Sequence, residues 1–422
     1  MENTNHYSVL YVPNLALTSP SWNHVIKQSD IVSITIIHQY DVKTFPIFRL
    51  RLYSDIDVIQ HLTNDPDNIS LTGSLDGNVY RMSTEDDSSP VVVSGATNLQ
   101  FELKIYLENK NIPTTIMDQF ENGIKKESDL NVNMKVPIEL YGYDANLPYL
   151  MKRVCNSVYQ DMTIQSVIED IYQRGDIKSL HIDALDQQTR FDQILIPNLS
   201  VSQAMVFFES YYGLHEKGTQ VYGDFDHIMY ISNTDCRKML DNTCLPIYVE
   251  DIKNNSDMGG LKSIDDKYFM STMATNVSVI TETDIEKQLQ SLHIGAINVN
   301  TDAITTATLD KLYDEEYIKS YLSSEQNYLR DLPNILHKHI NPYLPSMIGA
   351  RIQEKITKVD VSGVGFDIGA MKIDSRYNLL FDTPIRGMDM NAMYRATYVT
   401  HTLTPMSAEY MVAQTTMNLC TN

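Results

Sequence analysis

The chain has 422 residues, 43% hydrophobic and 21% charged, a globular composition too long for one ordinary core and sufficient for two to four domains. Against 54 Asp and Glu there are only 33 Lys and Arg, and the resulting net charge of −21 excludes a basic nucleic-acid surface and repels anionic membranes. No long apolar run is present, and the start MENTNHYSVLYVPNLAL has neither a basic segment nor an apolar stretch before a cleavage site, so neither a membrane span nor a cleaved export signal is expected.

From the N-terminus onward the dominant signal is alternation with period two. FRLRLY from Phe48 is the first such segment. FELKIYLE follows, with Phe101, Leu103, Ile105 and Leu107 on one parity, and then VNMKVPIEL, with Val132, Met134, Val136, Ile138 and Leu140. These read as half-buried strands, the last placed at a sheet edge by Pro137, which has no N–H to give. The polar stretch over residues 76–90 reads as a loop.

Helical spacing begins at Thr163, an N-cap for IQSVIEDIYQR, whose Ile164, Val167, Ile168, Ile171 and Tyr172 share a face before a left-handed stop at Gly175. A second helix repeats the design. Ser200 and Gln203 form a capping box, Val201, Ala204, Met205 and Phe208 with Tyr211 or Tyr212 make the stripe, and Gly213 ends it. After it TQVYGDFDHIMYI alternates, which puts Asp224 and Asp226 on one face of a strand, where a pair of carboxylates could hold a cation but a solvated or interface-facing surface is the simpler reading. A loop over residues 251–260 and a third helix over residues 307–329, with Leu309, Leu312, Tyr313, Tyr317 and Tyr321 on one side, come next. The closing EYMVAQTTMNL is a strand with Met411, Ala413, Thr415, Met417 and Leu419 on one face. Strands, two capped helices, strands, a longer helix and strands again predict an α+β, mainly antiparallel β fold rather than a doubly wound sheet.

The candidate chemical motifs have plainer explanations. VSGVGFDIG spaces Gly363, Gly365 and Gly369 as G-x-G-x-x-x-G with no helix after it, which fits a glycine-bearing strand or hairpin and not a dinucleotide loop. His337 and His339 offer two metal ligands at most, and the 251–260 loop lacks the order of a calcium-binding loop. Cys155, Cys236, Cys244 and Cys420 are too scattered for a disulfide framework and read as free thiols of a reducing cytosol. No catalytic, cofactor-binding or metal residue is assigned, and no cofactor is expected.

Residues 191–231, FDQILIPNLSVSQAMVFFESYYGLHEKGTQVYGDFDHIMYI, resemble a segment of the baseplate or tail hub proteins of contractile-tailed bacteriophages. The shared pattern is an apolar strand, Ile-Pro-x-Leu-Ser, an aromatic-rich helix ending in Tyr-Gly, a turn, and Asp-Phe-Asp before a final strand. Residues 390–419 add a similar closing hairpin, with Tyr-Arg leading into a strand and a Thr-rich final strand. The first hundred residues show no motif of that family.

The resemblance implies a non-enzymatic virion protein, assembled in the host cytoplasm, that forms a homotrimer. Each chain would give two tube-like β-barrel domains to a six-domain ring joining the tail tube protein above to the central spike protein below, with baseplate wedge proteins outside. DNA would pass through its channel without specific binding. On this reading residues 1–150 form the first tube-like domain, 151–215 a helical segment, 216–350 a second β region with a peripheral insertion and the long helix, and 351–422 the segment completing a tube-like domain. The alternatives are a tail-associated cell-wall or glycan hydrolase using paired carboxylates, and a β-rich adhesion module.

Overall fold

A computed structural model describes residues 6–40, 45–82, 91–107, 135–175, 177, 179–234, 245–249, 260–264, 267–277, 293–298, 303–308, 341–343, 347, 358–371, 376–381 and 391–420. The alternating segments are strands. The first half of the chain contains β1 His6–Ser19, β2 Trp22–Ile26, β3 Ile31–Gln39, β4 Ile47–Ser54, α1 Ile56–Asn64, β5 Ser70–Met82, β6 Val91–Gly95, β7 Leu99–Leu107 and β8 Val136–Tyr143. Next come α2 Leu147–Lys152, β9 Val154–Thr163, α3 Ile164–Gln173, β10 Ser179–Ile182, β11 Arg190–Ser200, α4 Val201–Phe207, β12 Thr219–Gly223 and β13 Ile228–Asn233. Strands follow: β14 Leu245–Val249, β15 Gly260–Ile264, β16 Lys267–Val277, β17 His293–Asn298, β18 Ala303–Thr308, β19 Lys358–Val364, β20 Arg376–Phe381, β21 Ala392–Pro405 and β22 Met411–Cys420. The protein is α+β and mainly antiparallel β, as its periodicity predicts.

The strands close on themselves. β1 pairs with β22, β22 with β21, β21 with β3, β3 with β4, β4 with β8, β8 with β7, β7 with β5, and β5 returns to β1, a closed antiparallel ring of eight. A second closed path of six runs β22, β19, β16, β14, β20, β21, with β14 parallel to both of its neighbours. Both circuits use the C-terminal hairpin. The half of β21 from Tyr398 to Leu403 pairs with β3, and the half from Ala392 to Arg395 pairs with β20, with a bulge between Ala396 and Tyr398 where one set of partners gives way to the other. Closure leaves neither ring with an open edge along its circuit.

Alternation fills the interior. Val9, Tyr11, Leu15, Leu17, Ile34, Ile36, Phe48, Leu50, Leu52, Leu71, Leu75, Phe101, Leu103, Leu140, Val399 and Leu403 belong to one apolar cluster, which continues through Met411, Ala413, Met417, Leu419, Val359, Val361, Tyr377 and Leu379 of the second ring. The rings are thus packed cores rather than pores. The outward positions of β4 and β8 carry a charge cluster instead: Glu139 accepts from Arg51 Nε at 3.3 Å and from Tyr141 OH at 3.1 Å, and pairs with Arg49, whose guanidinium lies over the Tyr141 ring.

Several expectations are corrected. Residues 76–82 are not loop, because Asp76 to Met82 continue β5 and pair with β1; residues 83–90 lie outside the described residues. β8 is not an edge strand, since β4 flanks Val136 to Gly142 and β7 flanks Leu140 to Tyr143; Pro137 is tolerated because it lies outside the β7 ladder, opposite Tyr53 of β4. The strand begins at Val136, and Val132 and Met134 lie outside the described residues. Ala307 and Thr308 end a strand, and the rest of the third helix falls outside the described residues, as do the 251–259 loop, His337, His339, Cys236 and Cys244. α1 and α2 are helices that the alternation does not reveal. Among the described residues Cys155 and Cys420 are not joined in a disulfide, and no helix is long and apolar enough to cross a membrane.

VSGVGFDIG is a strand and its exit: β19 pairs with β22 through Gly363, and Gly365 follows at φ +76°, where its N–H donates to Ala413 O at 2.8 Å and its carbonyl accepts from Val9 N at 3.0 Å. A Cβ at Gly365 would come within 2.0 Å of Ser8 Oγ. Gly365→Ala therefore loses about 1–2 kcal/mol from the left-handed backbone alone, with the clash added. Gly95→Ala, where a Cβ meets nothing within 4 Å, shifts stability by less than about 0.5 kcal/mol, and urea unfolding midpoints of the two variants check the contrast.

Candidate functional site

Between β8 and β14 the chain builds a module with its own apolar core of Ile164, Val167, Ile168, Ile171, Phe191, Ile194, Ile196, Val201, Ala204, Met205, Phe208 and Tyr212. β9 and β11 form an antiparallel pair across α3 and β10, with a register shift between Ile196 and Leu199 around Pro197, and α3 and α4 lie against it. Both predicted caps form. Thr163 Oγ1 accepts from Ser166 N at 3.2 Å, and Ser200 with Gln203 closes a reciprocal capping box.

The ends of these helices depart in detail from the sequence reading. α4 widens into a π-turn over Phe208–Tyr212, which sets the buried Glu209 to accept from Thr219 N at 2.9 Å, and Gly213 stops it at φ +74°. Gly175 is absent from the left-handed positions; it is required because a Cβ there would lie 2.4 Å from the Tyr149 ring.

The turn between β12 and β13 is the point where the module meets the rings, and it overturns the placement of Asp224 and Asp226 on a strand face. Both lie in the connection, beyond the last strand residue Gly223. Asp224 is 1% exposed; its Oδ1 accepts from Asp226 N at 2.9 Å and Ile228 N at 3.0 Å, and its Oδ2 from Tyr230 OH at 3.0 Å. Burial pushes its carboxyl up, and these hydrogen bonds pull the other way. Local hydrogen bonding by an Asp side chain has ended the strand and made the turn. The two carboxylates are not a cation pair.

Four ties fasten this hairpin to the barrel, two at the turn and two at its far end. His227, held at φ +64°, pairs through Nδ1 with the buried Asp144 just past β8, whose other oxygen accepts from Asn146 N at 2.7 Å. Phe225 enters the core of the eight-stranded ring, edge-on to His38 at 5.7 Å and 6.0 Å from Phe101. Gln220 Nε2 donates to Ala396 O at 2.7 Å, at the bulge that separates the two rings along β21. Arg376 of β20, itself buried, donates to Asn233 O at 2.7 Å. Tyr222 joins them, edge-on to Tyr40 at 4.8 Å and stacked on Tyr230 at 5.2 Å.

Beside the tip an open cleft of about 660 Å³ is lined by Asn14, Ser74, Gln100, Glu102, Asp226 and His227, among others. Its walls mix these polar groups with Phe101 and Phe225, and Glu102 and Asp226 add negative charge. Among the described residues no group of three His, Cys, Asp or Glu is placed to hold a metal ion. Sequence reasoning missed Asp144, His38 and His401. The last two were within reach, because His38 shares parity with Ile34 and Ile36, and His401 with Val399 and Leu403, and both are buried in the ring. Asp144 has no sequence signal, since its partner is 83 residues away.

Residues 16–382 match the family described as Bacteriophage PBS1 gene 109 protein. Among solved structures, a tail protein from Neisseria meningitidis MC58 is similar over 98% of this chain and 97% of its own, with a TM-score of 0.50 at 11% identity. The 43 kDa tail protein of prophage MuSo2 from Shewanella oneidensis covers 97% of each chain with a TM-score of 0.49 at 8% identity. A type VI secretion system component from E. coli, described as similar to the T4 tail proteins gp27 and gp5, covers 96% of this chain and 76% of its own with a TM-score of 0.40 at 8% identity. No curated protein matches the sequence. The chain thus matches a bacteriophage protein family and shares its fold with the Neisseria meningitidis tail protein, in agreement with the resemblance drawn from residues 191–231 and 390–419.

Asp224→Ala removes three accepted hydrogen bonds from a buried turn and costs about 2–4 kcal/mol. Faster hydrogen exchange at the Asp226 and Ile228 amides, with that at Met417 unchanged, is the expected readout; equal exchange in both proteins would show that Asp224 does not hold the turn.

Proposed function

Because the chain belongs to the Bacteriophage PBS1 gene 109 protein family, we propose that it is a structural tail component that acts as a baseplate hub, three copies forming a ring between the tail tube and the central spike. The observation that carries this reading is the pair of closed strand rings fastened by one C-terminal hairpin. Such rings are rigid and largely free of open edges, so they suit a part that must hold its shape while other proteins bind its outside.

Since the ring interiors are filled with side chains, a passage for DNA in the hub would have to lie between copies, bounded by their outer surfaces. Three copies carry three times −21, or −63 formal charges, and an acidic wall would let a polyanion slide past without sticking. Baseplate wedge proteins would contact the outer module. The hub role uses no catalysis.

Native mass spectrometry of the purified chain tests the reading, with a three-copy species expected at micromolar concentration. Its population should grow as salt rises from about 0.05 to about 0.5 M, because screening relieves like-charge repulsion between acidic copies. A strict monomer at every salt concentration, alone and with a spike partner, would overturn it.

A further inference from the structure

The inside of the eight-stranded ring contains two histidines. His38 on β3 and His401 on β21 are 4% and 1% exposed, with ring centroids 5.7 Å apart. His401 Nδ1 shares a hydrogen bond with Thr415 Oγ1 at 2.9 Å, and its buried Nε2 has no hydrogen-bond partner among the described residues. His38 faces His401 from β21, Phe225 from the β12–β13 tip and Tyr40 from just beyond its own strand, at ring distances of 5.7, 5.7 and 6.1 Å. None of these is an acid. The nearest carboxylates on the tip are turned elsewhere, Asp224 into its own hairpin and Asp226 onto the cleft.

We propose that this histidine pair is an acid-sensitive latch: protonation of the pair releases the Phe225 tip from the ring while the ring itself stays closed. None of the described ring neighbours of His38 offers a counter-ion to a charged imidazole, and a second one beside it is repelled, so each needs water. The cover over the pair that can move without breaking a strand ladder is Phe225. It belongs to a turn, whereas the other neighbours of His38 lie on or beside the ring strands β3 and β21.

The direction follows from burial. It lowers His38 to about 4, and it lowers His401 as well, with the neighbouring His38 adding to the effect. Because both imidazoles take up protons less readily when docked than when released, the docked state is fully favoured above about pH 6.5 and loses ground as the pH falls through about 4.

Hydrogen exchange of the full-length protein from pH 7.5 to 4, corrected for intrinsic rates, tests the latch. Protection over the turn, residues 224–227, should fall at least tenfold below about pH 5 while the β12–β13 ladder and β22 keep their protection. The His38→Phe and His401→Gln variants, each taken alone so that one folding failure does not end the test, should shift that loss to lower pH. A tip that stays protected in the wild type, or one that opens only together with β22, would overturn the proposal. So would a folded variant with an unchanged profile.

Discussion

The structure depends on one pairing, that of β21 with β22 in the last thirty or so residues. Pro405 to Arg395 on one strand and Met411 to Cys420 on the other form the ladder to which both rings are attached. β1, near the N-terminus, meets β22 through Leu10 and Tyr11, and β3 meets β21 through Ile34 to Gln39. The first ring therefore cannot close until the last segment of the chain is in place, a high-contact-order arrangement that favours cooperative and slow folding over piecewise assembly. The inward face of the hairpin, Met411, Ala413, Thr415, Met417 and Leu419, is buried along its whole length, which ties the two rings into one apolar core.

The module is joined to this core at its most defined point. It keeps a separate apolar cluster, so it could have been a loosely hinged appendage. Instead the β12–β13 hairpin carries an aromatic ring into the barrel at its turn and adds polar ties along its length that end on fixed partners: the buried Asp144 at the turn, and the backbone carbonyl of Ala396 and Arg376 at the far end. The carbonyl at the β21 bulge is an economical anchor, because a bulge frees a backbone group from the ladder without exposing it. Orientation of the module relative to the rings is thereby set by directional bonds as well as by packing, which a part that positions partners requires.

Much of the local structure was legible. Thr163 and Ser200 announced their helices because a cap is a local bargain between a hydroxyl and an N–H three residues on, and both bonds form as read. Alternation located Phe101, Leu103 and Ile105 and the hairpin face from Met411 to Leu419 because a strand with one buried face must repeat every two residues. The same rule failed at Asp224 and Asp226. Alternation continues through GDFDH, yet an Asp side chain that captures two backbone N–H groups makes a turn, and parity cannot distinguish the two outcomes. Asp76 to Met82 failed in the opposite sense, since polar composition looked like loop while pairing with β1 made it strand.

By itself the sequence determined the class of fold, the positions of caps and strands, the acidic character and the tail-like pattern at residues 191–231 and 390–419, because each of these depends on neighbours along the chain. Only the tertiary structure decided that the strands close into two rings on one hairpin, that His38 and His401 share a dry interior, and that His227 reaches Asp144. Those facts depend on which distant segments come to lie side by side, and residues as far apart as Leu10 and Val412 leave no trace of their pairing in the local order of the chain.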